Sequence, residues 1–186
     1  KINRVKQNLC LSSWLNPPSR RWDYAREREV VWVALPAALI EAKGYLWTAM
    51  KAAYDEMARV GLTKDSFPIV SERALREMRG RILLDLKATP DEYEKNRCYE
   101  MFSIWATYYK LLKAVRFLVT ESYEEFLRFA EKLTKDKSRA SVRIVEDILF
   151  AAAGEVVKEL RRGGTRHPKQ AKLIELLHEI GAKKRT

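Results

Sequence analysis

The sequence predicts an all-α protein: a helical bundle with a basic N-terminal arm and a short basic C-terminal helix. Three observations carry this. Apolar residues recur at three- and four-residue spacing, capping signals punctuate them, and no stretch alternates in the manner of a strand. With 186 residues and 47% hydrophobic side chains, the chain is large enough for one domain with a core.

Residues 1–21 stand apart. They open on Lys1, Arg4 and Lys6, carry a brief apolar patch from Leu9 to Leu11, and contain Asn16-Pro17-Pro18-Ser19. Consecutive prolines favour extended backbone, and so short a stretch buries no core, so an arm is expected. A helix is expected over 22–60, broken or kinked at Pro36 and ended by Gly61, with Leu39, Ala42, Leu46, Ala49, Met50, Ala53 and Met57 as its buried face. Ser71 is a plausible cap for a helix over 71–88. At Thr89-Pro90-Asp91-Glu92 the pattern predicts a cap at Thr89, proline in the first helical position and a capping box closed by Glu92, opening a helix over 90–119. Tyr93, Cys98, Met101, Phe102, Trp105, Tyr108, Tyr109, Leu112 and Phe117 form its apolar face.

Ser122 repeats the capping logic for 122–134, and Ser138 starts a helix over 138–162. Val142, Val145, Ile148, Leu149, Ala152, Val156 and Leu160 trace its stripe, and the two long helices are expected to pack antiparallel across the shorter one between them. Gly163-Gly164 ends that helix, and Gly181 ends a last one over 168–180. Trp32, Trp47 and Trp105 fall within helical stripes and are expected in the core. The organisation read from these signals is an arm and helix start at 1–28, a bundle at 29–162 and a basic helix and tail at 163–186.

Charge is divided along the same lines. Residues 1–28 hold seven Lys or Arg against two acids, residues 158–186 hold nine against three, and the 129 residues between carry 20 of each sign. The whole net charge of +11 therefore lies at the two ends. Cationic extremities on a neutral body point to a polyanion, and nucleic acid is the first candidate. Trp14, Trp22 and Tyr24 are interleaved with Arg20, Arg21, Arg26 and Arg28, a mixture able to stack on bases while pairing with phosphates. Trp14 and Trp22 serve equally well as anchors at a protein interface. Candidate nucleic-acid-binding residues are Lys1, Arg4, Lys6, Trp14, Arg20, Arg21, Arg26, Arg28, Arg161, Arg162, Arg166, Lys169 and Lys172.

Other chemistries find little support. The seven glycines form no phosphate-cradling loop, there is no HExxH, and Cys10 and Cys98 have neither zinc-ligand nor disulfide-framework spacing. No metal, no cofactor, no small-molecule substrate and no catalytic residue is expected. The longest apolar run, Val30 to Ile40, contains Pro36 and is 11 residues long, short of the roughly 20 that cross a bilayer. A soluble chain in a reducing compartment is expected. Arg162 and His167, flanked by Arg161 and Arg166, resemble the Arg-plus-His motif of the HEPN-superfamily ribonucleases, in which His exchanges the 2′-hydroxyl proton and Arg stabilises the phosphate. Gly163, Gly164 and Thr165 between them break the helix that the motif needs.

The run Lys1-Ile2-Asn3-Arg4-Val5-Lys6, then Trp14 to Trp22 with Arg20 and Arg21, feeding a helix-rich body, resembles the major capsid proteins of filamentous archaeal viruses that coat linear double-stranded DNA. That resemblance implies a structural, non-enzymatic protein of the virion that wraps DNA in A-form without reading sequence. It also implies a dimer or pseudo-dimer with a second copy or related subunit, and a helical filament. Asn16-Pro17-Pro18 departs from a continuous arm helix. A cellular nucleic-acid-binding module, such as a CRISPR effector small subunit or a chromatin-like architectural protein, shares the same charge footprint.

Overall fold

The computed structural model describes residues 31, 33–69 and 71–183, and every regular element in them is a helix. There are seven among the described residues: α1 (Ala37–Arg59), α2 (Glu72–Ala88), α3 (Glu92–Thr120), α4 (Tyr123–Lys135), α5 (Arg139–Val145), α6 (Ile148–Arg162) and α7 (Pro168–Lys183). The expected arm, together with Trp32, lies outside the described residues. The described residues from Val33 onward form one compact unit.

α1 is the spine, packing against α3 on one side and α6 on another. It buries all seven residues of the expected stripe, and Tyr54 besides. Ala42, Ala49 and Ala53 keep its surface shallow where two helices approach it at once, while Leu46, Met50 and Met57 supply the bulk. Fully burying one such side chain contributes about 1.5–3 kcal/mol. The helix begins at Ala37, and residues 33–36 are not helical. Pro36 is the residue before the helix rather than a kink inside it, because it holds an extended ψ of 152° while its carbonyl accepts from Leu39 and Ile40, each at 3.0 Å.

α2 buries only Leu75, Met78 and Ile82, a narrow stripe that suits a helix packed against α3 alone. Three aromatic side chains fix the connection between α1 and α2. The Trp105 indole donates to the Leu75 carbonyl at 3.0 Å, the Tyr108 hydroxyl to Ile69 O at 3.1 Å, and the Tyr54 hydroxyl to Asp65 O. Burial pushes the Tyr108 phenol up to about 12, so it stays a donor at every physiological pH. Trp47, expected in the core, sits instead at its edge, on Phe67 and beside the Lys43 ammonium.

α3, at 29 residues about 44 Å long, carries α2, α4 and α5 against its flanks. Its N-cap is Asp91, which accepts from Glu94 N at 3.1 Å, and not Thr89, which closes α2. Tyr93 therefore falls in the first exposed turn, at 76% exposure, and not in the core stripe.

The expected helix over 138–162 is two helices. Asp147 holds an extended conformation, and its carboxylate accepts from Leu149 N at 2.7 Å and Phe150 N at 3.2 Å, ending α5 and capping α6. The break resets the helical phase. Ala140, Ser141 and Ile144 are buried in α5 and Phe150, Ala153 and Val157 in α6, whereas Val142 and Ile148 of the expected stripe are 40% and 81% exposed. Of the expected second long helix only the α5 part packs on α3; α6 shares no extensive contact with α3 and packs on α1 instead.

A polar clamp ties α3 to the turn between α4 and α5. Lys110 Nζ donates to Asp136 Oδ2 at 2.8 Å, Ser138 Oγ at 3.0 Å and Ser141 Oγ at 2.7 Å, filling all three of its N–H positions. Lys110 and the two serine hydroxyls hold the Asp136 carboxyl well below the usual carboxylate range. With all three of its N–H positions taken, Lys110 joins α3 to the α4–α5 turn.

Candidate nucleic-acid interface

Phe150, Ala153 and Val157 turn one face of α6 into the core, which leaves Lys158, Arg161 and Arg162 on the exposed face. α4 lies alongside, joined to α6 through Phe126 against Phe150 with ring centroids 6.1 Å apart. Between the two helices runs an open groove. Leu127, Ala130 and Thr134 of α4 line one wall, and Lys158, Arg161 and Arg162 of α6 line the other. One acid, Glu131, also lines it and is bound to Lys135 at 2.6 Å. Lys158 bonds Glu155 at 2.6 Å, whereas Arg161 and Arg162 make no ion pair or hydrogen bond among the described residues. Glu124 and Glu155 act on them only through longer-range attraction.

The end of α6 is built to hold that wall in place. Gly164 adopts φ +67°, Gly164 N donates to Arg161 O at 3.1 Å and Thr165 N to Leu160 O at 3.2 Å, the paired bonds of a Schellman motif. Gly163 is the C-cap at φ −70°, so of the two expected terminators Gly164 takes the left-handed position. Gly181 lies within α7 and ends nothing.

His167 then anchors the turn. Its side chain is 1% exposed, Nε2 donates to the Leu118 carbonyl at 3.1 Å, and its ring meets Tyr123 edge-on at 5.3 Å. Leu118 is in the last turn of α3, where carbonyls lack a helical partner, so the imidazole caps α3 from a distant part of the chain. The expected Arg-plus-His pair is thus split between surface and core: Arg162 is exposed, whereas His167 is buried with its Nε2 on a backbone carbonyl.

Burial holds the His167 imidazole below its ordinary value, with Lys169 adding to the effect and Glu124 opposing it. The native state thus favours neutral imidazole. The unfolded chain, titrating near 6.5, binds the extra proton first, so the stability that His167 contributes is complete above about pH 6.5 and falls on acidification below it. The melting temperature is expected to drop from pH 7.5 to pH 5.5, and His167→Gln is expected to flatten that dependence. Thermal melts across this range provide the check.

Of the expected cationic residues, Arg161, Arg162 and Arg166 are exposed and cluster at the end of α6 and the turn after it. Lys169 is half-buried, with burial lowering its ammonium, and Lys172 is bound to Glu175 at 2.7 Å, so both are poorer contacts. Lys1, Arg4, Lys6, Trp14, Arg20, Arg21, Arg26 and Arg28 lie outside the described residues. Sequence reading overlooked the α4 side. From Arg128 to Arg143 there are six Lys or Arg against two acids, a local density hidden when the neutral middle is summed as a whole.

α7 leaves the bundle. It makes no extensive contact with another helix, and Leu173, Leu177 and Ile180 are more than half exposed. Among the described residues no three His, Cys, Asp or Glu gather as a metal site would require, and no helix is long and apolar enough to cross a membrane.

No known family profile matches the sequence, and no curated protein is similar to it. Among solved structures, the Pyrococcus furiosus Hef helicase domain is similar, with a TM-score of 0.70 and 23% identity over 82% of this chain. The chain spans 32% of that structure's length, and the likeness is one of fold.

Proposed function

We propose that this chain is an all-helical DNA-binding module that grips the phosphate backbone of double-stranded DNA, without reading sequence, and works beside a helicase-type motor. The observation that carries the reading is the groove between α4 and α6, whose α6 wall presents Arg161 and Arg162 to solvent with no ion pair or hydrogen bond among the described residues and continues into Arg166. Guanidinium groups at such a wall release condensed counterions from phosphates, and contacts to backbone alone carry no base preference.

The motor half of the proposal draws on the fold likeness to a helicase domain. Nucleotide-driven motors of the P-loop type need a strand leading into GxxxxGK[ST] and a helix. The sequence lacks that pattern, and the described residues contain no strand, so the part played by this chain is contact with the polymer. The bare apolar row on α7 favours a module that works against another domain or subunit.

A coat protein of a filamentous virion would use the same phosphate contacts, with the α7 row joining subunits. The two readings separate in one experiment. Fluorescence anisotropy with two 25-bp duplexes of unrelated sequence is expected to give equal affinities that fall steeply with salt, and negative-stain microscopy of the same mixtures is expected to show discrete particles. Long regular filaments would favour the coat, and a strong preference for one duplex or salt-insensitive binding would overturn both.

A further inference from the structure

We infer that a second phosphate-binding face lies on α1, α5 and the turn before α5, formed by Arg59, Lys137 and Arg139 around Arg143, which Glu56 holds; this extends the proposed DNA contact and rests on it. Two shallow grooves carry these residues. Lys137, Arg139 and Arg143 line one, Arg59, Arg139 and Arg143 line the other, and the two shared arginines make them one continuous surface. Arg59 comes from the last turn of α1 and the others from 78 or more residues further on, so only folding assembles the group.

Four acids line the same surface and match its four cations in formal charge, but two of them are committed elsewhere. Glu56 is bound to Arg143, and Asp147 is committed to the amides of α6 that it caps. That leaves Glu100 and Glu146 facing Arg59, Lys137 and Arg139, none of which makes an ion pair or hydrogen bond among the described residues. Asp136, the acid nearest in sequence, is turned to Lys110 by the clamp described above. The surface is shallow and exposed, with no enclosed recess for a small ligand, and suits an extended anion whose charges repeat. Along the chain the cations of this face follow directly on the α4 wall of the first groove. α4 lines that groove as far as Thr134, and Lys135, Lys137 and Arg139 follow at once.

The pair Lys137→Glu and Arg139→Glu tests this, since both side chains are exposed and lie outside the clamp and the core. With a 25-bp duplex at 50 mM salt, the double variant is expected to bind at least fivefold more weakly than wild type. Its slope of log affinity against log salt is expected to be shallower by about two. Circular dichroism establishes that the bundle is retained, and Lys137→Gln with Arg139→Gln, if needed, supplies a milder version. Wild-type affinity and slope in the double variant would overturn the second face. If Arg161→Glu with Arg162→Glu weakens binding in the same assay, the α4/α6 groove stands and only its extension falls; if neither pair matters, the DNA-binding proposal itself fails.

Discussion

Replacing Arg161, Arg162 and Arg166 together with alanine is expected to weaken duplex binding roughly tenfold or more at 50 mM salt, equally for unrelated sequences. The slope of log affinity against log salt is expected to fall by about three, one for each phosphate contact removed. The three side chains are exposed and lie at the end of α6 and the turn beyond it, so their loss leaves the core untouched. Arg161 and Arg162 also complement the C-terminal dipole of α6, a contribution of about 0.3–1 kcal/mol apiece that thermal melts will register separately from affinity. An unchanged slope would move the contacts to other cations of the chain.

The second large effect is on the fold that shapes the groove. Phe126 is fully buried on α4, and its contact with Phe150 joins the two helices that form the groove walls. Phe126→Ala removes the transfer energy of the ring and leaves a cavity, together costing about 3–5 kcal/mol. At about 2–4 °C per kcal/mol for a chain of this size, the melting temperature is expected to fall by about 6–20 °C. Phe126→Leu, which keeps most of the apolar volume, is expected to recover much of that loss. Calorimetry of the three proteins makes the comparison, and a loss under about 1 kcal/mol for the alanine variant would mean that α4 is held by other contacts.

What was legible in the sequence follows from how each signal arises. The stripe on α1 is readable because one uninterrupted helix buries the same face from Leu39 to Met57. Ser71, Ser122 and Ser138 are readable as caps because a hydroxyl accepting from the amide three residues on is a local event. Asp147 was hidden, since aspartate inside a helix costs only a fraction of a kcal/mol by propensity and apolar residues continue on both sides. The break it makes rotates the phase, so Val142 and Ile148, which an unbroken stripe places in the core, are exposed. His167 read as a basic-loop residue because nothing local marks a side chain that caps a helix 49 residues earlier in the chain. The groove was half legible: the cations at the end of α6 stood out in a charge count, while those of α4 and α5 vanished into a balanced sum.

The central claim is that the arginines of the α4/α6 groove touch phosphate. Phenylglyoxal modifies accessible guanidinium groups, and mass spectrometry reads the extent at each arginine. In the presence of saturating duplex DNA, Arg161 and Arg162 are expected to react several-fold more slowly than in the free protein, while Arg73, bound to Glu77 on α2, keeps its rate. Equal rates at Arg161 and Arg162 with and without DNA would contradict the account.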